Sequence, residues 1–184
     1  MKRLFDILFS FFGLLFLSPL FIILIVIGYF DTGSPIFRQK RVGRGKRPFY
    51  LFKFRSMLVN SPSVATHLAS ENSITTFGSF LRKSKLDELP QLWNVLMGDM
   101  SLVGPRPNLF NQEELINERD ILGVYSVRPG ITGLSQINNI DMSIPKFLAE
   151  TDSKMIKEIN IRRYFYFIIV TVFGKGSGDR VKNS

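Results

Sequence analysis

Two carboxylates stand side by side at Asp87 and Glu88, within KSKLDELPQLWNVLMGDMSLVGPRP (83–107), in a chain of 184 residues whose formal charge is +9. Adjacent acids repel, and each cation or metal nearby lowers the cost of keeping both charged. The required cations are close in sequence. Arg82 lies five residues before Asp87, and Arg106 sits in GPRP, where two prolines stiffen the loop. Carboxylates can bind Mg2+ through oxygen, Mg2+ can neutralise phosphate oxygens, and arginine forks can hold the remaining oxygens. An aspartate in that setting can also attack phosphorus and form an acyl phosphate. The chemistry suggested is phosphoryl transfer. A plainer reading uses the same residues, because Ser84-x-x-Asp87 has the form of a capping box and acids are ordinary at helix starts.

Several elements must position these groups. Pro90 suits a first helical turn and Gly98 an end, which predicts a helix from about Leu89 to Met97, with Phe77, Phe80 and Leu81 marking helical spacing before it. Residues 32–57 read as a loop and then a pair of strands turning at VGRG, where Gly43 and Gly45 supply permissive backbone. Alternation in the second strand places Lys53 and Arg55 on one face and Tyr50, Phe52 and Phe54 on the other. That basic face suits a phosphate site or acidic lipid equally well. Residues 58–76 read as a loop or short helix, 111–121 as a Glu-rich helix and RPGITG (128–133) as a loop. The run RRYFYFIIVTVF (162–173) is too short to span a bilayer and suits a core or interfacial helix.

Composition narrows the chemistry further. The chain has no cysteine, which excludes disulfides and thiolate metal sites, and its single histidine, His67, lies in a polar run where a solvated loop position is expected. Lys and Arg number 24 against 15 Asp and Glu, so an anionic partner is implied. Residues 7–30 carry no charge; as a straight helix they would extend about 36 Å, enough to cross a bilayer core. Ser18-Pro19 interrupts that segment, and proline removes a helical hydrogen bond. Lys2 and Arg3 precede it, six Lys and Arg follow between residues 38 and 47, and no acid occurs between Asp31 and Glu71. Basic flanks mark the cytoplasmic side, so the expectation is a helix that enters, turns at Pro19 and leaves on the same face. A single kinked span is the simpler alternative.

Four stretches, KRLFDIL, GSPIFRQKRVGRGKRPFYLFKFRSM, LRKSKLDELPQLWNVLMGDMSLVGPRP and VRPGITGLSQI, together resemble the bacterial sugar transferases, the monotopic polyprenyl-phosphate phosphoglycosyl transferases. The resemblance runs from Lys2 to about Phe173. It implies transfer of a phosphosugar from a UDP-sugar to undecaprenyl phosphate, with release of UMP and Mg2+ as cofactor. By the same resemblance Asp87 is the nucleophile and Glu88 a metal ligand or proton acceptor, both contributing to the metal site. Lys53, Arg82, Arg106 and Arg128 hold phosphate oxygens, and Ser18 and Pro19 form the break of a re-entrant helix. Two departures stand out. Many relatives carry Gly-Arg where this chain has Gln136 to Ile140, and Tyr164 replaces an aspartate that often precedes the last helix.

The fold expected is α/β, mainly helical with a small β-hairpin or sheet. A re-entrant membrane helix occupies residues 1–30, a catalytic domain lying on the membrane 31–174 and a mobile tail 175–184. The chain lacks the multi-span extension of larger relatives and reads as a minimal catalytic form. Expected partners are a UDP-sugar, undecaprenyl phosphate and a phospholipid membrane, with no nucleic acid, and the arrangement is compatible with a homo-oligomer. The expected location is the cytoplasmic face of the bacterial inner membrane. The alternatives are a membrane-tethered basic binding module and a non-catalytic scaffold in which the acids only cap a helix.

Overall fold

A computed structural model describes residues 2–61, 73–174 and 176. His67, most of the 58–76 stretch and nearly all of the expected tail therefore lie outside the described residues. The chain begins with α1 (Lys2–Phe16) and α2 (Ser18–Thr32), two helices bent by 63° at Leu17. Pro19 falls in the first turn of α2, where its missing N–H costs nothing, and the Ser18 hydroxyl donates to the Leu15 carbonyl at 2.7 Å. The break thus satisfies its own polar groups. Among the described residues no single helix is long and apolar enough to cross a membrane, but this bent pair is so by length and composition.

Strands β1 (Ile36–Val42) and β2 (Pro48–Phe54) form the expected antiparallel hairpin, in register from Ile36 opposite Phe54 to Val42 opposite Pro48. Gly45 adopts φ +62° in its turn, a left-handed conformation that favours glycine. Helices α3 (Thr76–Ser84) and α4 (Gln91–Met97) follow, then β3 (Ser101–Val103), α5 (Glu113–Ile121), β4 (Gly130–Thr132), α6 (Leu134–Ile137), α7 (Pro145–Glu158) and α8 (Ile161–Val172). Among the described residues the architecture is mainly helical with two two-stranded sheets.

Three sequence expectations need correction. Part of RPGITG is a strand: Gly130–Thr132 pairs in parallel with β3, too short and glycine-rich to give a period-two pattern. The helix expected from Leu89 begins at Gln91, because a 3-10 turn over Leu86–Glu88 uses the preceding residues. The Ser84 capping box does not form. Ser84 closes α3, its hydroxyl donating to the Phe80 and Leu81 carbonyls at 2.8 and 3.1 Å.

Two apolar clusters organise the molecule. Leu24 of α2, Phe54 of β2 and Leu81 of α3 form one. Phe49 and Leu51 of β2 join Val95, Met100, Leu102, Met155, Tyr164 and Phe167 in the other. Lys53 falls on β2 between Leu51 and Phe54, and Asp87 and Glu88 fall between Leu86 and Leu89 of the first cluster's rim and Val95 of the second.

Candidate active site

Local backbone geometry presents the paired acids. Lys85 ends α3 in a left-handed conformation, φ +59°, unusual for a residue with a side chain and costing on the order of 1 kcal/mol. This turns the chain tightly into Leu86–Glu88, where Glu88 N donates to the Lys85 carbonyl at 3.2 Å. The residues at the N-cap positions of this turn and of α4 are Lys85 and Pro90, neither of which makes a side-chain cap hydrogen bond.

Helix α4 is locked to the hairpin by Asn94, which is fully buried. Its Oδ1 accepts from Phe52 N at 3.0 Å and its Nδ2 donates to the Tyr50 carbonyl at 2.7 Å, so one side chain pairs with the free edge of β2 as a neighbouring strand would. With β2 and α4 fixed together, Lys53 on the strand meets Glu88 just ahead of the helix. Lys53 Nζ lies 3.2 Å from Glu88 Oε1, and Arg106 Nη2 reaches the same oxygen at 3.1 Å. Little solvent screens these pairs: the side chains of Lys53, Glu88 and Arg106 are 8%, 11% and 24% exposed. Asp87, the residue before Glu88, is buried. One carboxylate oxygen thus serves two cations from distant parts of the chain.

The structure brings together Lys53, Glu88 and Arg106, with Asp87 the residue before Glu88 in the chain. Arg82, on the last turn of α3, donates from Nε to the Ser56 hydroxyl at 2.8 Å. Arg128 is placed elsewhere. Its Nε donates to the Gly98 carbonyl at 2.7 Å, at the far end of α4 from the acids, about 10 Å of helix away. There it lines an open cleft of about 670 Å³ with Arg44 and Arg47. Arg55, beyond the end of β2, donates to the Ser34 carbonyl at 2.8 Å, and burial pushes its guanidinium below its usual range.

The loop that carries Arg106 has no regular structure, yet five consecutive carbonyls in it have donors from outside. The Gly104 carbonyl accepts from Gln136 Nε2 at 3.2 Å, Pro105 from Gly130 N at 2.8 Å and Arg106 from Arg119 Nη1 at 2.9 Å. Pro107 accepts from Arg41 Nη1 at 3.1 Å and Asn108 from Val42 N at 3.0 Å. Gly104 and Gly130 touch backbone to backbone, and a Cβ on Gly130 would fall 2.0 Å from Gly104 N. Only glycine fits there.

Sequence reading missed a second buried polar group. Asp6 accepts from Ser101 Oγ, from Leu102 N at 2.9 Å and from the Tyr164 hydroxyl at 2.7 Å. Arg3 donates to the Val95 and Leu96 carbonyls at the end of α4, and Lys2 to the Ile159 carbonyl after α7. These basic residues, which the sequence offers as a topology signal, also dock α1 on helix ends where cations are favoured. The only forewarning of Asp6 was an acid at the edge of an apolar run.

Among the described residues no group of three or more His, Cys, Asp or Glu could hold an ion. Asp87 and Glu88 offer hard oxygen donors, which fits Mg2+ completed by water and substrate phosphates, and does not fit a self-contained protein cage.

The sequence model of the family described as bacterial sugar transferase matches residues 1–175, nearly the whole chain. The chain belongs to the bacterial sugar transferase family. It is 48% identical over 123 residues to a UDP-glucose:undecaprenyl-phosphate glucose-1-phosphate transferase of Xanthomonas campestris pv. campestris, covering 63% of this chain and 25% of that protein. It is 40% identical over 155 residues to a UDP-galactose-lipid carrier transferase of Erwinia amylovora, covering 75% of this chain and 32% of the relative. An uncharacterized sugar transferase of Bacillus subtilis (strain 168), EpsL, is 43% identical over 139 residues, 75% of this chain and 68% of the relative. The chain thus spans between about a quarter and two thirds of the length of these relatives.

Proposed function

We propose that this sugar transferase moves a phosphosugar from a UDP-sugar to undecaprenyl phosphate through a covalent aspartyl intermediate. The observation that carries the reading is the shared Glu88 oxygen, which holds Lys53 and Arg106 together, with buried Asp87 the residue before Glu88 in the chain. Asp87 Oδ would attack the sugar-bearing phosphorus, forming a P–O bond as the bond to the bridging oxygen breaks and UMP departs with that oxygen. An oxygen of the acceptor phosphate would then attack the same phosphorus, releasing the Asp87 carboxylate and leaving a lipid-linked diphosphosugar. Lys53 and Arg106, preset by Glu88, would meet the charge that develops on the phosphate oxygens without reorganising. Arg82, anchored on Ser56, would hold further oxygens. Mg2+, held by Asp87 and Glu88, would supply additional neutralisation of the diphosphate. The names of the relatives support the donor and acceptor classes, and the sugar itself is left open.

The acceptor's tail stays in the bilayer, so this reading requires a membrane-level site. The bent pair α1–α2, with Phe11, Phe16, Ile22, Val26 and Phe30 exposed, would enter the cytoplasmic leaflet and return to the same side.

Incubation with radiolabelled UDP-sugar and no lipid acceptor tests the covalent step. The expected result is one phosphosugar bound per protein, lost in Asp87→Asn; undiminished transfer by Asp87→Asn would refute the assignment. A screen of UDP-sugars for UMP release identifies the donor.

A further inference from the structure

Arg119 is among the largest fully buried side chains, 1% exposed, and nothing in the chemistry above uses it directly. Its Nε and Nη2 both donate to Asp152 Oδ2, at 3.1 and 2.6 Å. Asp152 is fully buried on α7, and its other oxygen accepts from Ser135 Oγ at 2.6 Å. The third guanidinium nitrogen, Nη1, points into the loop. It donates to the backbone carbonyl of Arg106 and to Asn108 Oδ1, each at 2.9 Å, and the Tyr125 hydroxyl donates to that same Asn108 oxygen at 3.0 Å.

Stability alone is a weak reason for such an arrangement, because desolvating an ion pair often costs as much as the pairing returns. Leu115 on α5 and Leu148 and Ala149 on α7 already give these helices buried apolar residues. What the guanidinium adds is direction. A planar fork fixed on one side by a carboxylate presents its remaining donors at a set angle.

We propose that Arg119 is a positioning residue that acts through Arg106: braced by Asp152 and Ser135, it clamps the Arg106 carbonyl so that the Arg106 side chain is held in place for phosphate. The proposal rests on the transfer reaction above for its effect on rate. It differs from that reading in placing part of the site's precision on α5 and α7, far from Asp87 in sequence. Lysine at position 119 keeps the charge but cannot brace on Asp152 and reach both loop acceptors at once. A displacement near 1 Å at a catalytic group can cost about 100-fold in rate.

The experiment uses the full chain, the UDP-sugar found by the screen, and Arg119→Lys made in the wild type and in Arg106→Ala. The expected result is a fall in kcat/KM of about 30-fold in the wild type and under about threefold in Arg106→Ala, where no side chain is left to position. Equal fold losses in both backgrounds, or none in either, would overturn the proposal. Should Arg119→Lys fail to fold, Ser135→Ala removes only the hydroxyl that fixes Asp152. It is expected to lower turnover about threefold to fivefold, again only where Arg106 is present, and equal losses in both backgrounds overturn the clamp. A second readout needs no turnover. In 15N NMR the Arg106 Nε–Hε order parameter of the free protein should drop in Ser135→Ala, and an unchanged value would count against the clamp even if no UDP-sugar reacts. A wild type that releases no UMP while that order parameter drops would instead sink the transfer reading and leave the clamp standing.

Discussion

At the scale of single residues, Glu88 shows most directly how packing prepares chemistry. Replacing it with Gln turns the oxygen shared by Lys53 and Arg106 into that of a neutral amide and removes the charge that pairs them. UMP release should fall by about 100-fold in Glu88→Gln, the low end of losses for a positioned acid or base, and a melting experiment should show reduced stability as well. Tyr164 gives a prediction that needs no substrate. Burial, and then its hydrogen bond to Asp6, push its phenol well above the usual range. The folded state keeps that proton while the unfolded chain loses it near pH 10, so stability is intact below about pH 10 and falls as pH rises beyond. Denaturant titrations should find a flatter alkaline limb in Tyr164→Phe than in the wild type. Asp87 and Glu88 drew notice in the sequence because adjacent acids in a basic chain are locally visible. Arg119, Asp152 and Asn108 carried no such mark, since each is ordinary until tertiary structure buries it.

At the scale of elements, the docking of α1 turns on one carboxylate. Asp6→Ala would leave Leu102 N–H and the Tyr164 hydroxyl without their acceptor and should destabilise the fold by about 3 kcal/mol, measurable by chemical denaturation. Because Ser101 and Leu102 begin β3, and β3 carries the chain into the Arg106 loop, activity should fall with stability. The hairpin was legible from alternation and its two glycines. The 3-10 turn at Leu86–Glu88 was not, because Lys85 gives no local sign of a left-handed conformation. Strand β4 was hidden for another reason: three residues cannot display a period, and parallel pairing with β3 depends on where 26 intervening residues place them.

At the scale of the whole molecule, the proposed membrane binding would draw on two separable contributions, the bent helix pair and the +9 charge. Binding to vesicles with anionic lipid should weaken with salt yet persist, since apolar insertion is unscreened; full release at high salt would favour the basic binding module instead. Cysteines introduced at positions 2 and 34, bracketing the pair, should both react with an impermeant reagent from one side only, whereas a kinked single span would expose them on opposite sides. The family, the acidic pair, the hairpin and the broken apolar segment were all set by sequence, because short-range spacing and composition are sufficient to write them. Tertiary structure alone decided that Lys53 and Arg106 share one oxygen of Glu88, that Asn94 splices α4 to β2, and that Arg128 faces a different cleft. Those outcomes depend on which distant segments come together and on which polar atoms are left dry, and no local pattern encodes either.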